Sequence, residues 1–304
     1  MPAGVTTLLR SLFFLLFLFA VPASAAAPPA TWPLEHFVQW QPEWGNKTIE
    51  AGGLRVRTVM RRCGETRPVS EACSPGSRYL VAVVSGGRMA TTTLVGQPGS
   101  AAYLGIGKLT PDAKMSSVIL ISHSGASAGC VTIDLAVPEG RVFRSAKLAA
   151  EGSDSLCAVD PEMLEWPRDL AGRSRAEFVL RDTAFHCRFT SCAASRLPPR
   201  VIAFVHGDSV DVSRDPALAP LYRREMAAMR DACEQERDEA QGACAAYAAD
   251  AARLGLLSEA WTVIEAQVQR GCRVARPEDC ADATRIPEAF PAALASVLST
   301  QGYR

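Results

Sequence analysis

No hydrophobic run in this 304-residue chain is long enough to cross a bilayer as a helix. The longest, Ser11–Val21, spans 11 residues, against the roughly 20 that a hydrocarbon core requires. The mature chain is therefore expected to be soluble, with no membrane span. Excess charge of one sign is also missing, because 32 Lys and Arg are balanced by 32 Asp and Glu and the two signs are interspersed. That pattern leaves no basic footprint of the kind nucleic acid requires, so nucleic acid is not expected among the partners. Lysine is scarce, 4 against 28 arginines, which together with abundant alanine fits a GC-rich bacterial genome.

What is present at the start is an address. Arg10 precedes the apolar run, and Ala23-Ser24-Ala25 follows it with the small residues that signal peptidase prefers. Residues 1–25 read as a signal peptide cleaved after about Ala25, which implies a periplasmic or secreted protein. Ten cysteines lie downstream of that point, and thiols pair stably only in an oxidising compartment. Sequential neighbours close short loops at low entropic cost. The expected pairs are Cys63 with Cys73, Cys130 with Cys157, Cys187 with Cys192, Cys233 with Cys244, and Cys272 with Cys280. A metal reading of His186, Cys187 and Cys192 is weaker, since zinc sites usually duplicate their Cys pairs. No metal and no cofactor is expected.

Composition divides the rest into a linker and N-terminal segment (26–47), a β domain (48–213) and a helical domain (214–304). Short apolar runs between Gly, Pro and Ser clusters predict strands. They are Leu54–Met60, Tyr79–Val84, Ala90–Val95, Ala102–Ile106, Ser117–Ser122, Cys130–Val137, Arg141–Lys147, Glu177–Leu180, Phe185–Phe189, Val201–Val205 and Ser209–Val212. Turns such as Pro138-Glu139-Gly140 are too short for parallel crossovers, so the pairing is antiparallel. From Asp215 the pattern becomes helical. Leu221, Glu225, Met229 and Cys233 repeat at four-residue spacing, and Ala243–Leu254 and Ser258–Val268 form a helical hairpin with Gly255 as the stop. A last helix covers Pro287–Leu298. The fold class is α+β: a disulfide-stapled antiparallel β domain, sandwich-like or propeller-fragment-like, followed by a small helical domain.

Catalytic motifs are sparse. Gly125-Ala126-Ser127-Ala128-Gly129 has the G-x-S-x-G form of a nucleophile elbow, with His186 or His206 and Asp182 or Asp211 later in the chain. The elbow needs a strand-to-helix turn, whereas Cys130–Leu135 alternates like a strand. A serine hydrolase using Ser127 is therefore the alternative reading. The glycines at Gly96–Gly99 and Gly105–Lys108 are read as turns, and His123 as the end of a strand.

Asp169-Leu170-Ala171-Gly172-Arg173-Ser174-Arg175-Ala176-Glu177-Phe178-Val179-Leu180-Arg181-Asp182 resembles a degenerate FG-GAP or VCBS-type segment. Such segments build β-propeller blades and bind calcium in a loop before a strand. The wider stretch Glu177–Pro216 is similar to a group of exported bacterial proteins of unknown function. The resemblance puts Asp169 and Glu177 at the outer acidic positions of the family loop. Ala171 and Arg173 replace the inner aspartates, so the loop lacks the oxygen count that a hard cation needs. The function expected is non-catalytic binding of a protein partner in the cell envelope, with an exposed aromatic patch drawn from Trp32, Trp40, Trp44 or Tyr303. Inhibition of an envelope hydrolase is a further alternative.

Overall fold

Strand Ser117–His123 carries Val118, Ile119, Leu120 and Ile121 in succession, and all four are buried. Since alternate side chains leave opposite faces of a strand, such a run needs cover on both sides, and the architecture supplies it. In a computed structural model of the chain, the residues described are 38–40, 45–64, 73–74, 76–99, 101–110, 112–123, 130–148, 156–157, 166–205, 208–235, 239–270 and 286–303. The expected signal peptide, Trp32, Trp44, Ser127, His206, Cys272 and Cys280 lie outside them.

The strands are β1 (Val38–Trp40), β2 (Lys47–Ala51), β3 (Leu54–Arg62), β4 (Arg78–Ser85), β5 (Thr92–Val95), β6 (Ala101–Gly107), β7 (Ser117–His123), β8 (Cys130–Glu139), β9 (Val142–Leu148), β10 (Leu156–Cys157), β11 (Glu177–Arg181), β12 (Pro199–Val205) and β13 (Asp208–Asp211). They form three antiparallel sheets. One has the order β2-β3-β4-β5, the second β1-β6-β7-β8-β10 with β9 also on β8, and the third β11-β12-β13.

The second sheet is the middle layer. Its Leu104, Val118, Leu120 and Ala136 pack with Val56, Leu80 and Val84 of the first sheet. Its Ile119, Ile121, Ile133 and Leu135 pack instead with Phe178, Leu180, Ile202 and Phe204 of the third. Each fully buried Val, Leu or Ile stabilises the fold by about 1.5–3 kcal/mol relative to exposure. The outer face of the third sheet, through Val179 and Val201, meets Leu218, Leu221 and Tyr222. Three β layers are thus followed by a helical layer.

The β2–β3 connection is the two-residue turn Gly52-Gly53, with φ of 56° and 80°. Positive φ at both central positions is what a tight hairpin of native twist needs, and glycine takes it without steric cost. Disulfides join Cys63 to Cys73, Cys187 to Cys192, and Cys233 to Cys244, at Cα separations of 5.5, 4.2 and 4.7 Å. The β8–β10 register sets Cys157 opposite Cys130.

The helices are α1 (Ala219–Gln235), α2 (Ala240–Arg253), α3 (Leu257–Arg270) and α4 (Phe290–Thr300). Before α1, Asp215 caps the 3-10 turn Pro216–Leu218 by accepting from the Ala217 amide at 3.0 Å. Helix α2 has twelve of its fourteen residues buried, lies between α1 and α3, and is tied to α1 by Cys233–Cys244. Gly242 lets the chain approach closely. A Cβ there would stand 2.6 Å from the Ala194 carbonyl and 2.9 Å from Thr190 Cγ2. Alanine is favoured over glycine in a helix by about 1 kcal/mol, but overpacking costs about 1–3 kcal/mol. Gly242→Ala is therefore expected to lower the melting temperature in a thermal melt. A rise would mean the 190–196 loop yields freely.

Several expectations need correction. Phe185–Phe189 is not a strand. Asp182 Oδ1 accepts from the Ala184 amide and opens a 3-10 turn over Thr183–Phe185, and the five-residue spacing from Cys187 to Cys192 then curls the chain. Gly105 and Gly107 lie inside β6 and are not in a turn. Tyr303 is 1% exposed, packed in the helical core, and belongs to no surface patch. Sequence reading also passed over the short strands β1, β2 and β10.

Candidate functional site

The stretch from Asp169 to Glu177 saturates its own carboxylates. Asp169 accepts from the Arg173 and Ser174 amides at 2.8 and 3.0 Å. Glu177, fully buried at the start of β11, accepts from the Leu170 and Ala171 amides at 2.9 and 2.8 Å and from Arg175 Nε at 2.9 Å. Arg173 and Arg175 both reach Asp215, at 3.3 and 3.5 Å. Asp215 is held below the usual carboxylate range, chiefly by its hydrogen bond to Arg173. Backbone amides and guanidinium groups thus hold the positions where a cation would sit. The donor set does not fit calcium.

Of the residues proposed for a hydrolase, Ser127 and His206 lie outside the described residues. Gly125–Gly129 lies outside the described residues, but the strands before and after it, β7 and β8, are antiparallel neighbours with His123 opposite Val131. The next described element after Ser127 is thus strand β8, whereas a nucleophile elbow leads into a helix. Asp182 caps the 3-10 turn and accepts from the Tyr303 hydroxyl at 2.9 Å. Asp211 accepts from Arg200 Nε at 2.7 Å and from the Ser213 amide at 2.9 Å. Both acids are occupied by structural partners.

Three features with chemical potential remain among the described residues, of which only the third, around Cys187 and Cys192, was singled out in the sequence. The first is a cleft of about 800 Å³ between the middle and third sheets. Leu109, Val137 and Phe204 line its floor, and Lys114, Arg173 and Arg175 stand at its rim. The two arginines are committed to Asp215 and Glu177, whereas Lys114 is exposed and has no ion pair among the described residues.

The second is a buried polar cluster where the third sheet meets the helices. Arg181 of β11 donates to Glu225 of α1 at 2.8 Å. Arg253 of α2 lies 4.1 Å over the Tyr303 ring. Between these, Asp250 is fully buried and neither of its oxygens has a hydrogen-bond partner among the described residues. Burial, reinforced by the Glu225 carboxylate, holds its pKa well above the usual value, and Arg181 and Arg253 offset this only in part. Tyr222 nearby is pushed up to about 12, mainly by burial. Fully buried among these groups, Asp250 presents no acid or base to a substrate at the surface.

The third is the Cys187–Cys192 disulfide. Both cysteines are exposed, whereas Cys233 and Cys244 are fully buried. Donor atoms of His186, Cys187 and Cys192 lie within 4.8 Å of one another. With the two sulfurs bonded to each other, the group offers no thiolate to a metal.

No curated protein and no solved structure matches the chain. Residues 222–302, which begin within α1 and run past α4, are similar to the sll0997 C-terminal domain, the family model that matches there.

Proposed function

We propose that this is a non-catalytic binding protein of the bacterial cell envelope, exported by the segment over residues 1–25, whose cleft engages an extended segment of a protein partner. The observation that carries the reading is the cleft itself. Its floor is apolar, formed by Val137 and Phe204 on strands of two sheets and by Leu109 just after β6, and its rim carries Lys114, an ammonium with no ion pair among the described residues. An extended peptide with apolar side chains and one carboxylate matches that arrangement, and it needs no catalytic residues. The blade-like resemblance of the 169–182 stretch and the disulfides support an interaction scaffold working in an oxidising compartment.

A photo-crosslinking side chain placed at Met115 or Val137, both at the cleft, and at Arg230 on the exposed face of α1 tests this in producing cells. One discrete adduct from the cleft positions, absent at Arg230 and weakened by Lys114→Glu, is expected. If the adduct is a wall-degrading hydrolase, the partner class becomes specific and the role inhibitory. Adducts that are absent, or equally strong at Arg230, overturn the cleft as the binding surface.

A further inference from the structure

We propose that Cys187–Cys192 is a thiol–disulfide exchange site that oxidises a dithiol on a client protein, with His186 as the group that stabilises the departing thiolate. This is a second role, independent of the cleft, and only the role of the cleft is non-catalytic. Exchange requires a sulfur that a thiolate can reach. Cys187 and Cys192 are both exposed, while in Cys63–Cys73 one cysteine is buried and the other half-buried, and Cys233–Cys244 sits inside the α1–α2 interface.

The chemistry around the bond is asymmetric. Both ring nitrogens of His186 lie 3.4 Å from Cys187 Sγ, so a thiolate on Cys187 has an imidazole within reach. A neighbouring histidine favours the thiolate form of cysteine. Cys187 is therefore the leaving sulfur and Cys192 the sulfur attacked.

The loop is also framed so that it opens and recloses without unfolding. The Cys187 amide donates to Ser195 Oγ at 2.8 Å, and that hydroxyl donates to the Ser191 carbonyl at 3.0 Å. Ser191 Oγ donates to Glu239 Oε2 at 2.8 Å. Phe185 and Phe189 pack against Tyr303 and Phe290 in the helical core, at centroid distances of 5.7 and 5.5 Å. None of these contacts depends on the sulfur–sulfur bond.

The step runs as follows. A client thiolate attacks Cys192 Sγ and forms a mixed disulfide. The Cys187–Cys192 bond breaks, and its electron pair leaves on Cys187 Sγ beside His186. The client's second thiolate then attacks the client sulfur of the mixed disulfide, closing the client disulfide and releasing Cys192 as a thiolate. The client dithiol loses two electrons and two protons, which the Cys187–Cys192 pair gains. An oxidised disulfide carrier protein restores the pair by the same exchange in reverse.

The test uses the folded, oxidised chain with reduced glutathione, acid quenching, alkylation and peptide mass spectrometry. The Cys187–Cys192 bond is expected to open at least about tenfold faster than Cys63–Cys73 and Cys233–Cys244, with the first glutathione adduct on Cys192. His186→Ala and His186→Gln are each expected to slow this step about tenfold at neutral pH and to change its pH profile. A reduced test peptide carrying two cysteines should be converted to its disulfide with stoichiometric loss of Cys187–Cys192. Opening of all three bonds together, a first adduct on Cys187, His186 variants with unchanged rates, or a peptide that stays reduced would each overturn the proposal.

Discussion

Asp250→Asn is expected to raise the melting temperature at pH 7–8 by about 2 to 10 °C and to flatten its fall with pH. An unsatisfied buried polar group costs about 1–3 kcal/mol, more when charged, and 1 kcal/mol moves the melting temperature of a domain this size by about 2–4 °C. The sign follows from linkage. The folded pKa of Asp250 lies well above the usual carboxylate value because burial and Glu225 oppose its charge, so the folded chain keeps a proton that the unfolded chain gives up. Stability from this group is complete below the usual value of 3.8 and is lost as pH rises toward the folded value. Asparagine never ionises, so its advantage grows with pH and vanishes near pH 3. Thermal melts of both proteins from pH 3 to 8.5 decide the matter. Parallel profiles would mean that Arg181 and Arg253 hold Asp250 as a satisfied carboxylate.

Glu177→Ala should have the opposite and larger effect, a loss of about 3–5 kcal/mol, because removing one member of a buried pair leaves the other charge uncompensated. Arg175 would keep only its longer contact to Asp215, and the Leu170 and Ala171 amides would lose their acceptor. The 166–177 stretch also pairs with β11 through Arg168 and Glu177, so its loosening exposes the Phe178 and Leu180 face of the third sheet. Denaturant unfolding measures the loss, and millimolar calcium should neither restore the variant nor shift the wild type. A calcium-dependent gain in the wild type would show that the loop keeps the resemblance's metal-binding property. A loss under 1 kcal/mol would mean that water replaces the carboxylate without penalty.

Strand positions were legible wherever apolar residues alternated or ran together between turn residues, as in β3, β4, β7 and β12. The third layer was not deduced, although the unbroken Val118–Ile121 run carries it, because an apolar run alone does not say whether one or two faces are covered. Strand β2 offered little periodicity because only Ile49 of its five residues is buried. At Phe185–Phe189 the aromatic pair suggested a strand, but the Asp182 cap and the nearby disulfide set the backbone. Asp250 gave no local warning, since a charged residue in an alanine-rich helix reads as a solvent-facing position. The usable signal was the alanine on every face of α2, which marks a helix surrounded by protein. His186 and Cys187–Cys192 were legible as residues, but their exposure and the 3.4 Å approach belong to the folded loop.

The middle sheet has a consequence for how the chain tolerates change. Along β7, Val118 and Leu120 belong to one core while Ile119 and Ile121 belong to another. Energetic coupling follows contact, and sites without shared partners combine additively. Residues adjacent in sequence on this strand therefore drift almost independently. Each is constrained by residues far along the chain: Leu120 by the first sheet, and Ile121 by Phe178 and Ile202. Covariation in this fold should skip alternate positions of β7 and divide one strand between two separate histories.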